Sequence, residues 1–598
     1  MKIHYKNPAL ERCLVSVNLI AATVAASTFV SLYGFKEPLL RIWILQTVQF
    51  AMLAVFVSEK VLRFVNAVSK REYLRVNWFE VPLLGVFVLS FLASGHWFSF
   101  LDPDAGRMLS LGVYLILQVV AKACQGCVNL AASGENPTKA LIGIFLALII
   151  IGAFLLCLPK SYNLDDPKEK PTSFVDALFT ATSATCVTGL IVEDTGSHFS
   201  FMGQVVILSL IQLGGLGIVI FGAVLALLLG QALSVRESVA MKDLLSAQTL
   251  GRIGNIIGFI FVTTVLLETL GAFGLMGMWP DDLPVSEKWF SSIFHSISAF
   301  CNAGFSLYSD SLIGFSGRWQ VYGVVSTLII LGGLGFGVLY DIAVVTFDCI
   351  KRRCRKKGDF HETITKQAPR KISLQTKLVL STSAILIVSG AAVLLLLENN
   401  SVGANESRHS GGQRVLSAFF QSVTTRTAGF NSVDISKMSP ASKQLMMALM
   451  FVGGSPGSTA GGIKTVTLAV ILMVAYATLR KRSEVDVFKR SVSVAVAGRA
   501  ITVVMLFMFV FLFVSFALSI TERQSSFMMS DIMFETMSAL GTVGLSCGIT
   551  AELTTAGKLF IIATMLIGRL GPLTLLAAMT FNLRPAGYSY PQEPIIVG

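Results

Sequence analysis

The sequence predicts an all-α integral membrane protein in which four helix–loop–helix repeats surround one axis, joined to an N-terminal four-helix membrane module. Three observations carry this reading. Hydrophobic residues make up 54% of the 598 positions and charged residues 14%, against roughly 25% charged residues in a soluble domain. Mean hydropathy is +0.71, so polar groups cannot cover the surface, and membrane lipid is the implied solvent and partner. Twelve apolar runs are long enough to span, and between the last eight of them four shorter segments align on a glycine.

The runs lie near 13–33, 39–57, 79–98 and 106–128, then 139–159, 201–230, 252–279, 319–349, 374–397, 441–479, 495–520 and 556–581. The first follows a basic start but is long for a signal-peptide core, so it reads as a retained helix. Basic residues collect in alternate connections: Lys60 to Arg75, Lys351 to Lys357, and Arg480 to Arg482. The intervening ones are acidic or neutral, as at Asp281 and Asp282 and from Glu398 to Ser410. This positive-inside pattern, with an even number of spans, puts both termini in the cytoplasm of a multi-pass protein of the cytoplasmic (inner) membrane. It also absorbs the net charge of +12, so no nucleic acid is expected as a partner. Nine cysteines are scattered, and the lone Cys124–Cys127 pair has no second pair with which to hold zinc.

The four segments align without gaps. They run from Phe179 to Gly189, Phe294 to Gly304, Phe419 to Gly429 and Phe534 to Gly544, each with Phe ten residues before Gly. Leu190, Phe305, Phe430 and Leu545 follow the glycines, which are 115, 125 and 115 residues apart. An internal repeat of this kind sets the domain plan. Residues 1–130 form the N-terminal module and 135–250 and 251–370 the first two repeats. Residues 371–490 form the third, with an intramembrane loop, and 491–598 the fourth with a C-terminal tail. Gly-Gly-Leu-Gly at 214–217 and 332–335, Gly453 to Gly457 and Gly568 to Gly571 recur 24 to 28 residues after the aligned glycines. Most of these glycines read as packing positions midway down the second helix of each repeat.

The shorter segments read as re-entrant pore loops, which a membrane tolerates only when they are buried in protein or line water. In the first, a short helix near Phe179 to Thr185 ends at Cys186, Val187, Thr188 and Gly189. A helix C-terminus favours a cation, and glycine lets the backbone turn its carbonyls toward an axis. Four such stretches make rings of carbonyls able to replace a hydration shell. The others are Cys301, Asn302, Ala303 and Gly304; Arg426, Thr427, Ala428 and Gly429; and Gly541, Thr542, Val543 and Gly544. Their shared element is backbone, which suits a large monovalent cation better than Mg²⁺.

Within the third repeat, Gly453, Gly454, Pro456, Gly457, Gly461 and Gly462 interrupt an apolar run as no continuous helix would. They read as an intramembrane gate, with Arg569 facing the pore from mid-run in the fourth repeat. Arg426 reads as a brace of its segment and His295 as packing behind it. Glu268 is left to pair with a neighbouring helix.

The segments 180–190, 425–431 and 453–465, with the ending Tyr590 to Gly598, resemble the membrane subunit of Trk/Ktr-type potassium uptake systems, in the Trk/Ktr/HKT superfamily. The resemblance covers residues ~135–598. It implies potassium as the transported ion, held by filter backbone carbonyls, with Gly189, Gly304, Gly429 and Gly544 as the filter glycines. It further implies a homodimer and a separate cytoplasmic regulatory ring that binds nucleotides, with no cofactor in this chain. Sodium-permeable relatives typically carry Ser at the first glycine, and this chain keeps Gly189. A sodium-permeable or sodium-coupled transporter of the same fold is the nearer alternative. An inverted-repeat secondary transporter is the more distant one, since four repeats here share an orientation. Gly333 to Gly337 lies within a spanning run and opens no dinucleotide site. No nucleophile–base or metal-ligand constellation marks an enzyme. Glu59 to Arg63 with Asn77 to Glu80 faintly resembles two voltage-sensor helices. The fourth run, however, carries only Arg107 and Lys122, so the module reads as a structural bundle.

Overall fold

The computed structural model describes residues 6–71, 73, 137–163, 171–217, 253–354, 371–398, 411–482, 485–488 and 490–572. The third and fourth apolar runs, the Cys124–Cys127 pair, the second half of the 351–357 basic cluster and the C-terminal tail lie outside them. The described chain is mostly helical, and several helices are long and apolar enough to cross a membrane.

Two long helices, α1 (Pro8–Tyr33) and α2 (Ile42–Asn66), form an N-terminal hairpin. Asn7 caps α1 and also pairs with Asn66, while Arg63 bridges Glu59 and Glu11. This hairpin meets the rest of the chain where the Lys160 amide donates to the Gly34 carbonyl at 3.1 Å.

The rest follows one order of elements four times. Long helices α3 (Pro137–Leu156), α6 (Ile253–Leu275), α10 (Leu374–Glu398) and α14 (Val494–Thr521) come first in each unit. Short helices α4 (Phe174–Thr185), α7 (Val285–Phe300), α11 (Gly411–Thr424) and α15 (Met529–Gly541) follow. After each glycine segment comes another helix: α5 (Phe201–Leu216), α8 (Ser326–Leu334, entered through a π-helical turn), α12 (Pro440–Met450) and α16 (Thr555–Leu570). Ser200, Ser439 and Thr554 cap three of these by accepting the amide three residues on.

The long helices show two faces. In α14, Phe507, Phe511, Val514 and Leu518 are buried, whereas Met505, Phe509, Leu512, Phe513 and Phe516 are exposed. An apolar exposed face of that length belongs in lipid.

The runs that follow the glycine segments are not continuous helices, which corrects the expectation of one unbroken second helix in each repeat. Gly217, Gly335 and Gly571 take φ of +79°, +87° and +84° and end α5, α8 and α16. After Gly335 the chain resumes as α9 (Phe336–Cys354), bent by 98° from the preceding helix. The 441–479 run is α12, an irregular stretch, and then α13 (Thr465–Leu479). Strands β1 (Val485–Val487) and β2 (Arg490–Val492) form an antiparallel hairpin that an all-α reading does not anticipate.

Candidate functional site

The four short helices end in nearly the same way. After α4, the Val187 amide donates to the Ala184 carbonyl at 3.1 Å and the Thr188 amide to the Ser183 carbonyl at 2.8 Å. Asn302 and Ala303 repeat this on Ala299 and Ser298, and Thr542 and Val543 on Ala539 and Ser538. These are the paired bonds of a Schellman ending, which needs a left-handed residue. Val187, Asn302 and Thr542 supply it at φ of 56°, 60° and 51°, with Thr427 at 72° in the third segment. Side chains with a Cβ are disfavoured there by about 1–3 kcal/mol, and persist only where surrounding bonds dictate the conformation. The third segment differs in bonding, since the Ala428 and Gly429 amides both donate to the Thr424 carbonyl.

Two residues beyond each left-handed residue stands an aligned glycine, also at positive φ: Gly189 +93°, Gly304 +70°, Gly429 +82° and Gly544 +92°. The residue between them is not left-handed, so handedness alternates along each segment. The amides turn back toward the helices that they bond. A Cβ built on Gly304 would lie 2.6 Å from the Ala428 carbonyl oxygen. One on Gly429 would strike the Val543 oxygen, one on Gly544 the Thr188 oxygen, and one on Gly189 the Ala303 oxygen. The sequence of contacts closes on itself. The four glycines therefore lie together, each beside a carbonyl from another segment.

Hydroxyl groups hold this ring from behind. Ser183 Oγ accepts the Gly189 amide at 3.1 Å, and Ser538 Oγ accepts that of Gly544 at 3.1 Å. Ser298 Oγ donates to the Phe305 carbonyl at 2.8 Å, and Thr424 Oγ1 to that of Phe430 at 2.8 Å. Sequence reasoning missed these residues, although Ser-Ala recurs six residues before three of the four glycines.

The following helices approach the ring closely. A Cβ on Gly214, Gly332 or Gly568 would strike the carbonyl of Thr185, Phe300 or Leu540, at the end of the short helix in the same unit. Only glycine permits that approach.

The 451–464 stretch packs against the third and fourth segments, where a Cβ on Gly453 or Gly461 would meet the side chain of Thr427 or Thr542. It folds on itself through the Gly453 amide, which donates to Ile463 at 2.9 Å, and docks on α8 through Ser455 to the Gly333 carbonyl at 3.0 Å. The Phe336 amide donates back to Gly457 at 3.0 Å. Arg426 is buried and donates to Ser383 at 3.2 Å and, more weakly, to the Gly453 carbonyl at 3.4 Å. It thus joins the third glycine segment to the start of this stretch. Arg569 donates to the Thr459 carbonyl within the stretch and to the Gly214 carbonyl of α5. Gly214 itself packs on the Thr185 carbonyl at the end of α4, so Arg569 links the stretch to the helix behind the first segment. Lys464 donates to the Ala460 carbonyl at 2.7 Å and is a second cation here that the sequence reading did not single out.

Glu268 finds its partner in Gln212 of α5, whose amide donates to it at 3.2 Å. His295 does more than pack. Its Nδ1 donates to the Ser291 carbonyl at 2.8 Å, and Nε2 lies 3.0 Å from Ser306 Oγ.

A family model described as "TrkH: Cation transport protein" matches residues 135–586. The Ktr system potassium uptake protein B of Bacillus subtilis (strain 168) is 39% identical over 462 residues, covering 77% of this chain and 96% of that protein. The potassium/sodium uptake protein NtpJ of Enterococcus hirae is 35% identical, covering 77% and 97%. The crystal structure of the potassium transporter TrkH from Vibrio parahaemolyticus aligns with a TM-score of 0.57 over 84% of this chain and 98% of that one. At 18% identity that likeness speaks to fold alone.

Proposed function

This chain belongs to the TrkH family of cation transport proteins, and from that premise we propose that it takes up potassium across the cytoplasmic membrane through a carbonyl-lined filter. The observation that carries the reading is the closed ring of Gly189, Gly304, Gly429 and Gly544, each at positive φ beside a carbonyl of another segment. The carbonyls of Thr188, Ala303, Ala428 and Val543 converge there and can substitute for the water around an ion. The C-termini of the four short helices add partial negative charge behind them.

The four units then surround a single pore. Its gate is the Gly453–Gly462 stretch together with Arg569. A fixed cation beneath the filter repels potassium strongly in a space of low dielectric. The potassium uptake names of the matched proteins support this cargo. They also describe a Ktr system, which suits a homodimer acting with a cytoplasmic nucleotide-binding ring docked on the basic loops.

A second reading, sodium permeation through the same filter, is favoured by the potassium/sodium name of the Enterococcus hirae relative. One experiment separates them. Expressed in a bacterium lacking its own uptake systems, the chain should restore growth on limiting potassium. Growth that is not restored, with the protein present in the membrane, counts against potassium uptake, and sodium influx without potassium influx selects the second reading.

A further inference from the structure

One arrangement recurs behind two of the four glycines and is absent behind the others. Nine residues before Gly304 stands His295, and nine before Gly544 stands Glu535; two after these glycines stand Ser306 and Ser546. With His295 Nδ1 donating to the Ser291 carbonyl, Nε2 of the neutral ring is left as an acceptor 3.0 Å from Ser306 Oγ, closer than that hydroxyl's other acceptor, the Ser311 carbonyl at 3.3 Å. Ser546 Oγ likewise donates to Glu535 Oε1, which also accepts from Thr550 Oγ1 at 3.1 Å. Each serine oxygen then accepts the amide four residues beyond its glycine, that of Tyr308 at 3.1 Å and of Gly548 at 2.8 Å. His295 and Glu535 are 0% and 1% exposed, so water does not compete for these bonds. At the corresponding positions the first unit has Thr180 and Ile191, and the third has Phe420 and Asn431. In the third, Gln421 Nε2 reaches Ser432 at 3.3 Å, one position further along on both sides.

We propose that the His295–Ser306 and Glu535–Ser546 pairs are positioning devices that set ion specificity, by clamping the backbone just outside the filter on opposite sides of the ring. The inference rests on the potassium-pathway reading above. In the order of contacts, the second and fourth segments stand across the ring from each other. In the fourth, the chain is held at Gly544 through Ser538 and two residues later through Glu535. In the second, it is held at Phe305 through Ser298 and at Ser306 through His295. A ring fixed at both points resists contraction around a smaller ion. Without the clamps its carbonyls can close on sodium, and discrimination falls.

The test uses the full chain in proteoliposomes, measuring potassium and sodium permeability under bi-ionic conditions for the parent and for S306A, S546A, S306T and S546T. Each alanine variant should lower the potassium-to-sodium ratio by about three- to tenfold, as expected for one lost hydrogen bond. Each threonine variant, which keeps the hydroxyl, should retain it. Melting of the purified proteins separates this from general loosening, because the threonine and alanine forms should differ in ratio even where their melting points agree. Alanine variants that elute as intact protein and keep the parental ratio overturn the clamp, as do threonine variants that lose the ratio to the same extent. A parent that passes sodium as readily as potassium, or passes neither, overturns the potassium reading and the clamp with it.

Discussion

Lys558 Nζ lies 2.7 Å from Asp176 Oδ1, joining α16 of the fourth unit to the first turn of the short helix in the first. Lys443 and Asp531 repeat the pairing between the third and fourth units at 3.5 Å. In both pairs the lysine stands fourteen residues after its own glycine, and the aspartate thirteen before the glycine of the next unit. Arg318 occupies the lysine position in the second unit, but Leu416 stands where the third would need an aspartate. The ring is thus tied by charge at two of its four joints.

These ties should contribute to stability. Both side chains of the Lys558–Asp176 pair are mostly buried, at 14% and 16% exposure. Removing one partner therefore leaves a poorly solvated charge, at a cost of about 1–3 kcal/mol, less than for a fully buried pair. Lys558→Met and Asp176→Asn should each lower the melting temperature in detergent. The double variant should melt no lower than the worse single one, the mark of a shared interaction. Additive losses would mean that the two residues act independently.

Gly189→Ser should weaken potassium-over-sodium selectivity while leaving expression intact. Gly189 sits at φ +93°, and a Cβ there would strike the Ala303 carbonyl oxygen. The serine must rotate its own backbone or push that oxygen aside, and either movement spoils the ring. Reversal potentials under bi-ionic conditions measure the effect. An unchanged permeability ratio would remove the first glycine from the filter.

Much of this arrangement was legible as register. The Phe–Gly spacing aligned four segments, each more than a hundred residues from the next, and the structure brings their glycines together. Arg569 and the glycine-rich 453–462 stretch stood out because a charge and a run of helix breakers are both out of place in an apolar run. They were read together as one gate, but the bonds that join them were not legible, since the partners of Arg569 lie 110 and 355 residues away in sequence. The breaks at Gly217, Gly335 and Gly571 were hidden for another reason. Hydropathy continues across Gly335, and only its φ distinguishes a bend from a packing site. The serines behind the ring were in view, but a serine in an apolar helix reads as packing until a backbone amide is found bonded to it.

The basic connections should help to dock a soluble regulatory ring. Lys351 to Lys357 and Arg480 to Lys489 are dense in Lys and Arg. Such loops also serve orientation and contact with anionic lipid. Copurification from native membranes distinguishes the roles. A soluble partner should follow the chain at low salt and dissociate as salt screens the charges. Retention of the same partner after neutralisation of both clusters would assign docking elsewhere.

Arg569→Ala should increase potassium flux in proteoliposomes without loss of selectivity, and so should a shortened 455–461 segment. Arg569 holds the Thr459 carbonyl of the 451–464 stretch and the Gly214 carbonyl of α5 together. On the proposed reading it acts in two ways, as a charge beneath the filter and as the link that keeps the stretch in place. Alanine removes both barriers. The ring itself depends on other bonds, those from Ser183, Ser298, Thr424 and Ser538, so selectivity should survive. Arg569→Lys tests the division further. It keeps the charge but loses the planar group that reaches two carbonyls at once, and its flux should fall between the parent and the alanine form. Were the lysine form as open as alanine, the link rather than the charge would be the barrier. Were both variants folded and no faster than the parent, the pore would have to close elsewhere.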